Sequence, residues 1–218
     1  MREIFHGELE RLGTDLAAMC GMARVAMEHA TQAMVDVDLS LAEQVITDDA
    51  AIQRVGERCA EHACALLALQ APVARDLRTV VTAIQAAEKI GRMGELARHI
   101  AEIVRLRHPH PAAPAELIDP LAQMGGLAVV ASQRVEAAIA APSGVLSAHS
   151  ERADDESDRL HHEVLERVKH ADPPYPVQVG VDVALLARFF ERFADQAVGI
   201  TRRLDYVVTG ERPARPSA

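Results

Sequence analysis

Between residues 5 and 37 the apolar side chains Phe5, Leu9, Leu12, Leu16, Met19, Ala23, Ala26, Ala30, Ala33 and Val37 follow one another in steps of four and three. A helix carries residues at that spacing along one stripe, so the segment predicts a single long helix with a bundle-type seam. Ser40-Leu41-Ala42-Glu43 then has the form of a capping box, which predicts a second helix from about residue 41. That helix runs to about Leu69, because Pro72 cannot continue it, and Asp76 is a suitable N-cap for a third helix reaching about Arg107.

The pattern breaks at RHPHPAAPAE, where three prolines fall between residues 107 and 116, the one strong linker signal in the interior. Beyond it a helix is predicted from about Glu116 to Ala141, stopped by Pro142, and another from about Gly144 to His170, stopped by Asp172-Pro173-Pro174. A last one follows from about Val181 to Val208, and the terminal ERPARPSA reads as a disordered tail. The fold class is therefore all-α, two tandem three-helix bundles: residues 1–108, a Pro-rich hinge at 109–115, residues 116–209, and a tail at 210–218. A fixed offset supports duplication. GRMGELARHI from Gly91, written over ERFADQAVGI from Glu191, aligns Arg92 with Arg192, Ala97 with Ala197 and Ile100 with Ile200, with Glu95 over Asp195.

Composition agrees with helices. Ala, Leu, Val and Ile dominate a 49% hydrophobic chain of 218 residues with 3% aromatics and no Trp. A net charge of −9 with no basic segment offers no footprint for nucleic acid, which is set aside as a partner. Cys20, Cys59 and Cys64 are odd in number and lack C-x-x-C spacing, which fits reduced thiols acting as small buried hydrophobes. MREIFHGELERLG has no apolar signal core, and no run of about 20 apolar residues occurs, so a cytoplasmic protein is expected, able to dock peripherally on the inner face of a membrane.

The candidate chemistry is acidic. Glu191 and Asp195 are four apart on one helix, and so are Asp154 and Asp158 on the helix before it, so each pair shares a stripe. If the stripes face each other, four carboxylates converge as in bundle metal sites, an oxygen set suited to hard cations such as Mg, Ca or Mn, with Fe also accommodated. Phe189, Phe190 and Phe193 beside the motif predict that much of this helix is buried. The competing arrangement pairs Arg188 with Glu191, Arg192 with Asp195, and Arg152 and Arg159 with the aspartates on a solvated face. A ferritin-like di-iron or storage protein needs two Glu-x-x-His motifs, whereas Asp158-x-x-His161 occurs once, and a helical adaptor would use the acidic stripes for docking without metal. No nucleophile-base arrangement or phosphate loop can be assembled, so an enzyme is not expected.

Glu191-Arg192-Phe193-Ala194-Asp195 with Ala197, the pair Asp154 and Asp158 within ADDESDRLH, and LLALQAPVARDLR from Leu66 to Arg78 together resemble the PhoU family of phosphate-transport regulators over residues 5–208. The resemblance implies two three-helix bundles, a homodimer, and metal clusters at these carboxylates, the cation being one of Fe, Mn, Mg, Zn or Ca. It also implies repression of the phosphate-starvation response by contact with a phosphate ABC transporter and a sensor histidine kinase. The first half departs from the motif: Gly91 stands where the family has Glu, Glu95 replaces Asp, and Gln53 replaces the second carboxylate after Asp49. Asp49 and Glu95 are thus expected to form the weaker or empty site; Glu88 and His99 are candidate substitute ligands, weighed against the commoner solvated Glu88 and surface His99.

Overall fold

The computed structural model describes residues 2–141 and 147–211, with residues 2 and 147–154 described in backbone alone. The described residues form six helices and no strand: α1 (Arg2–Asp36), α2 (Leu39–Gln70), α3 (Ala74–Arg107), α4 (Ala115–Ala140), α5 (Ser147–Lys169) and α6 (Val177–Thr209). The expected start of the fifth helix at Gly144 and the expected tail beyond residue 211 lie outside the described residues.

Two predicted caps are corrected. α2 begins at Leu39 rather than 41, because Asp38 takes the N-cap: its side chain accepts the Leu41 N–H at 3.0 Å. Asp38 is placed there by the end of α1. Val37 adopts φ 55°, and the Asp38 N–H reaches back to the Ala33 carbonyl at 3.0 Å, a Schellman closure that leaves Ser40 inside the new helix. α3 begins at Ala74 after Val73, without a side-chain cap, and Asp76 lies in its first turn, where a carboxylate favours the helix dipole. α6 starts four residues earlier than expected, directly after Pro176. Pro120 inside α4 removes the N–H that would bond the Glu116 carbonyl, and Arg167 of α5 supplies a donor to that oxygen at 3.4 Å.

The predicted seam of α1 is buried: Phe5, Leu12, Leu16, Met19, Ala23, Ala26, Ala30 and Ala33 are all core residues, with Leu9 packed at its edge. A second stripe, Cys20, Met27 and Met34, is equally buried. On that side α4 runs antiparallel to α1, with Cys20 Sγ 3.5 Å from Ser132 Oγ and Thr31 against Gly125. α3 and α6 are likewise antiparallel, tied by Arg78 to the Val207 carbonyl at 3.4 Å, Lys89 to Gln196 at 2.9 Å, and Arg107 to Asp182 at 2.5 Å. The two halves therefore share one continuous hydrophobic core, into which Ala112 and Ala113 of the Pro-rich segment also pack. Cys20 and Cys59 are buried as expected, whereas Cys64 is exposed, on the outer side of α2.

Candidate carboxylate sites

The duplication is visible as burial. Residues 91–100 and 191–200 have the same burial class at nine of ten positions, and the exception is 98/198, occupied by Arg98 in one half and Val198 in the other. The same helical faces are thus presented twice, and what differs is the chemistry placed on them.

In the second half Phe190 and Phe193 are wholly buried and anchor α6, which draws Glu191 down to 9% exposure and leaves Asp195 half-buried. Asp158 of α5 is exposed but near enough to act on both electrostatically. Burial pushes both carboxyls above their ordinary range, and the negative charge of Asp158 raises each of them further; Arg188 and Arg192 oppose the effect. Arg188 bonds both oxygens of Glu191, and Arg192 lies 3.4 Å from Asp195. The same-helix arginine pairs predicted for a solvated face are therefore present, on a face that is not fully solvated. Arg159 does not join them: it is taken by Glu156 and Glu163. His161 lies at the edge of the cluster, its imidazole pushed down by burial and by Arg188. The side chain of Asp154 lies outside the described residues.

The first half is built differently. Asp49 is buried, yet its carboxylate is satisfied by protein: Arg98 Nε reaches one oxygen at 3.0 Å and Gln53 Nε2 the other at 3.1 Å. The same Gln53 nitrogen contacts the Gly91 carbonyl at 3.1 Å. A side chain at 91 would begin 3.1 Å from Gln53 Oε1, so the glycine that removes one acid is also what admits the glutamine. Glu95 turns to Arg92. Of the two candidate substitutes, His99 bonds Glu102 at 3.0 Å and packs on Phe189 with ring centroids 5.2 Å apart, while exposed Glu88 opens onto a cleft beside Lys89.

Among the described residues, no three His, Cys, Asp or Glu side chains are placed to hold a metal ion. The two sites differ in their fitness for one. Asp158, Glu191 and Asp195 supply an all-oxygen set from two helices, two of its members destabilised as anions by burial, which is the donor chemistry a hard cation relieves. At Asp49 a guanidinium already provides that positive charge. Residue patterns did not reveal the Arg98–Asp49 pair, although a charge opposite Val198 in the aligned copy was the available signal.

An all-α chain of two antiparallel-packed three-helix halves, each with an Arg-bearing acidic motif on its third helix, is a duplicated helical-bundle protein. The PhoU domain model matches residues 16–104. A PhoU homolog 2 of Mycobacterium tuberculosis, a phosphate-specific transport system accessory protein, is 44% identical over 213 residues, covering 98% of this chain and 100% of that protein. A PhoU homolog 1 of Mycobacterium leprae, under the same description, is 43% identical, covering 98% and 96%. The chain belongs to the PhoU family. In fold it is similar to the crystal structure of the phosphate transport system regulatory protein PhoU from Streptococcus pneumoniae, at a TM-score of 0.85 and 24% identity over 97% of this chain and 100% of that one. PhoU from Pseudomonas aeruginosa gives 0.76 at 22% identity, over 95% and 100%.

Proposed function

We propose that this protein is a non-enzymatic negative regulator of phosphate uptake and of the phosphate-starvation response, acting by contact between a phosphate ABC transporter and a sensor histidine kinase. The observation that carries this reading is the 44% identity, end to end, with a phosphate-specific transport system accessory protein. The chemistry of the chain agrees with it: no described helix is long and apolar enough to cross a membrane, and the long helical faces suit protein contact on the cytoplasmic side. The protein works as a homodimer. Its metal is held by Asp154, Asp158, Glu191 and Asp195, and the Asp49 and Glu95 site is the weaker or empty one, since Gly91 and Gln53 withdraw carboxylates and Arg98 already engages Asp49. In the stronger site Arg188 and Arg192 would release their carboxylates to the cation.

The test is deletion of the gene in its own host followed by measurement of phosphate-starvation transcripts in phosphate-rich medium. Homologs 1 and 2 occur together in M. tuberculosis, so any second homologue is deleted as well. Constitutive transcripts, returned to repression by this gene alone, support the reading. Transcripts that stay repressed in the double deletion refute it.

A further inference from the structure

Lys89 is one of two lysines in the chain, and it stands half-buried where α3 meets α6, on a cleft of about 660 Å³ that α2, α3 and α6 line. Its amine donates to Gln196 Oε1 at 2.9 Å. Arg203 of α6 lines the same cleft, donating from Nε to Gln85 Oε1 at 2.7 Å and from Nη1 to the Gly199 carbonyl at 3.2 Å. Both cations thus end on neutral oxygens. The other two cations of the cleft are engaged by acids, Arg92 by Glu95 and Arg192 by Asp195. Exposed Glu57 and Glu88 also line it, and neither forms an ion pair with Lys89 or Arg203.

Two like charges held together at a half-buried seam repel each other. Burial and the neighbouring Arg203 accordingly push the Lys89 amine below its ordinary range. The fold nevertheless makes room for it: a Cβ at Gly199 would lie 3.0 Å from Lys89 Nζ. Gln85 and Gln196 each spend an oxygen in orienting a cation, which leaves an amide N–H₂ on each to donate. A lysine, a guanidinium and two amide N–H₂ groups around one opening offer several donors to an anion with acceptor oxygens, in a cleft they share with the carboxylates of Glu57, Glu88 and Glu95.

We propose that this cleft binds a small doubly charged oxyanion of the phosphate type between Lys89 and Arg203, with Gln85 and Gln196 holding the two cations in place. The site adjoins the carboxylate site, since Gln196 follows Asp195 in the chain and Lys89 acts on the Asp195 carboxyl, and it does not rest on the regulatory role above. The experiment is calorimetric titration of the full chain, kept in chelator so that no metal can recruit the anion, with inorganic phosphate against sodium chloride of equal ionic strength. Saturable binding of one phosphate per chain is expected, with sulfate competing. Lys89→Gln and Arg203→Gln should each weaken it about tenfold or more, the scale of one charge-assisted hydrogen bond. Each variant removes a repulsion and also a hydrogen bond between α3 and α6, so full helical content and a cooperative melt in chloride are required of both, which separates a lost ligand contact from a lost fold. Arg24→Gln, on α1 outside the cleft, should bind normally. Phosphate heats no different from chloride, undiminished binding in both cleft variants, or an equal loss in Arg24→Gln would overturn the proposal.

Discussion

The alignment of the two halves depends on how closely α1 and α4 approach, and Gly125 sets that distance. A Cβ there would lie 2.3 Å from Thr31 Oγ1, 2.6 Å from its Cγ2 and 3.0 Å from its Cβ, where ordinary contact begins near 3.4 Å. All three atoms belong to the branch point of one side chain, so no rotation about χ1 clears them. The hydroxyl is further fixed by its 2.8 Å bond to the Met27 carbonyl. At the adjacent Gly126 nothing lies within 4 Å. Alanine in a helix is worth about 1 kcal/mol over glycine, so Gly126→Ala should stabilise the protein by up to that amount. At Gly125 the same gain is opposed by overpacking of about 3 kcal/mol, the upper part of the usual range given the depth of the overlap, for a net loss of about 2 kcal/mol. Denaturant unfolding should give the two adjacent variants opposite signs. Thermal melts should show them several degrees apart, at about 2–4 °C per kcal/mol for a chain of this size. In a Thr31→Ala background only the Cβ contact remains, so the cost of Gly125→Ala should fall and the cycle should show a coupling of about 1–2 kcal/mol. Equal effects at the two glycines, or no coupling to Thr31, would refute the assigned packing.

Asp195→Asn should remove metal from the purified protein, measured by elemental analysis, while raising the stability of the chelated protein at neutral pH. The sign follows from the raised carboxyls of Glu191 and Asp195: the folded state binds their protons more tightly than the unfolded one, so stability is present at acid pH and declines as pH climbs from the ordinary carboxylate range through the raised values. An Asp195→Asn variant that kept the parent's metal content and the parent's pH dependence of melting would contradict this. Alkylation of the native protein should label Cys64 alone, because burial pushes the Cys20 thiol up to about 11 and also raises that of Cys59; mass spectrometry showing prompt native labelling of Cys20 would contradict its place against Ser132.

What the sequence made legible was set by local geometry. The four-and-three spacing in α1 and the pair Glu191 and Asp195 need only one helix to interpret, and both describe the structure. Features that depend on a second helix were not legible. Cys20, Met27 and Met34 form a buried stripe because α4 covers it, and nothing within α1 announces that partner. Two cap motifs overlapped at residues 38–43, and the choice between them was made by the closure of the preceding helix, through Val37 and the Asp38 N–H. Spacing along one helix pairs arginines with acids of that helix, and it is silent on contacts between helices such as Lys89 of α3 beside Arg203 of α6.

The comparison of the two halves carries this further. Equivalent helical faces, matched in burial at nine of ten positions, place an arginine at 98 and a valine at 198. Arg98 and Gln53 settle the buried charge of Asp49 within the protein. At 198 the buried valine brings no charge, so Glu191 and Asp195 are paired with the exposed Arg188 and Arg192 of their own helix, with Lys89 of α3 also acting on Asp195. A carboxylate that accepts a guanidinium from another helix gains less from a cation than one whose ion pair is made within its own helix. Duplication gave both halves the same scaffold, and the residues at 53, 91 and 98 give the first acidic face a different set of partners from the second.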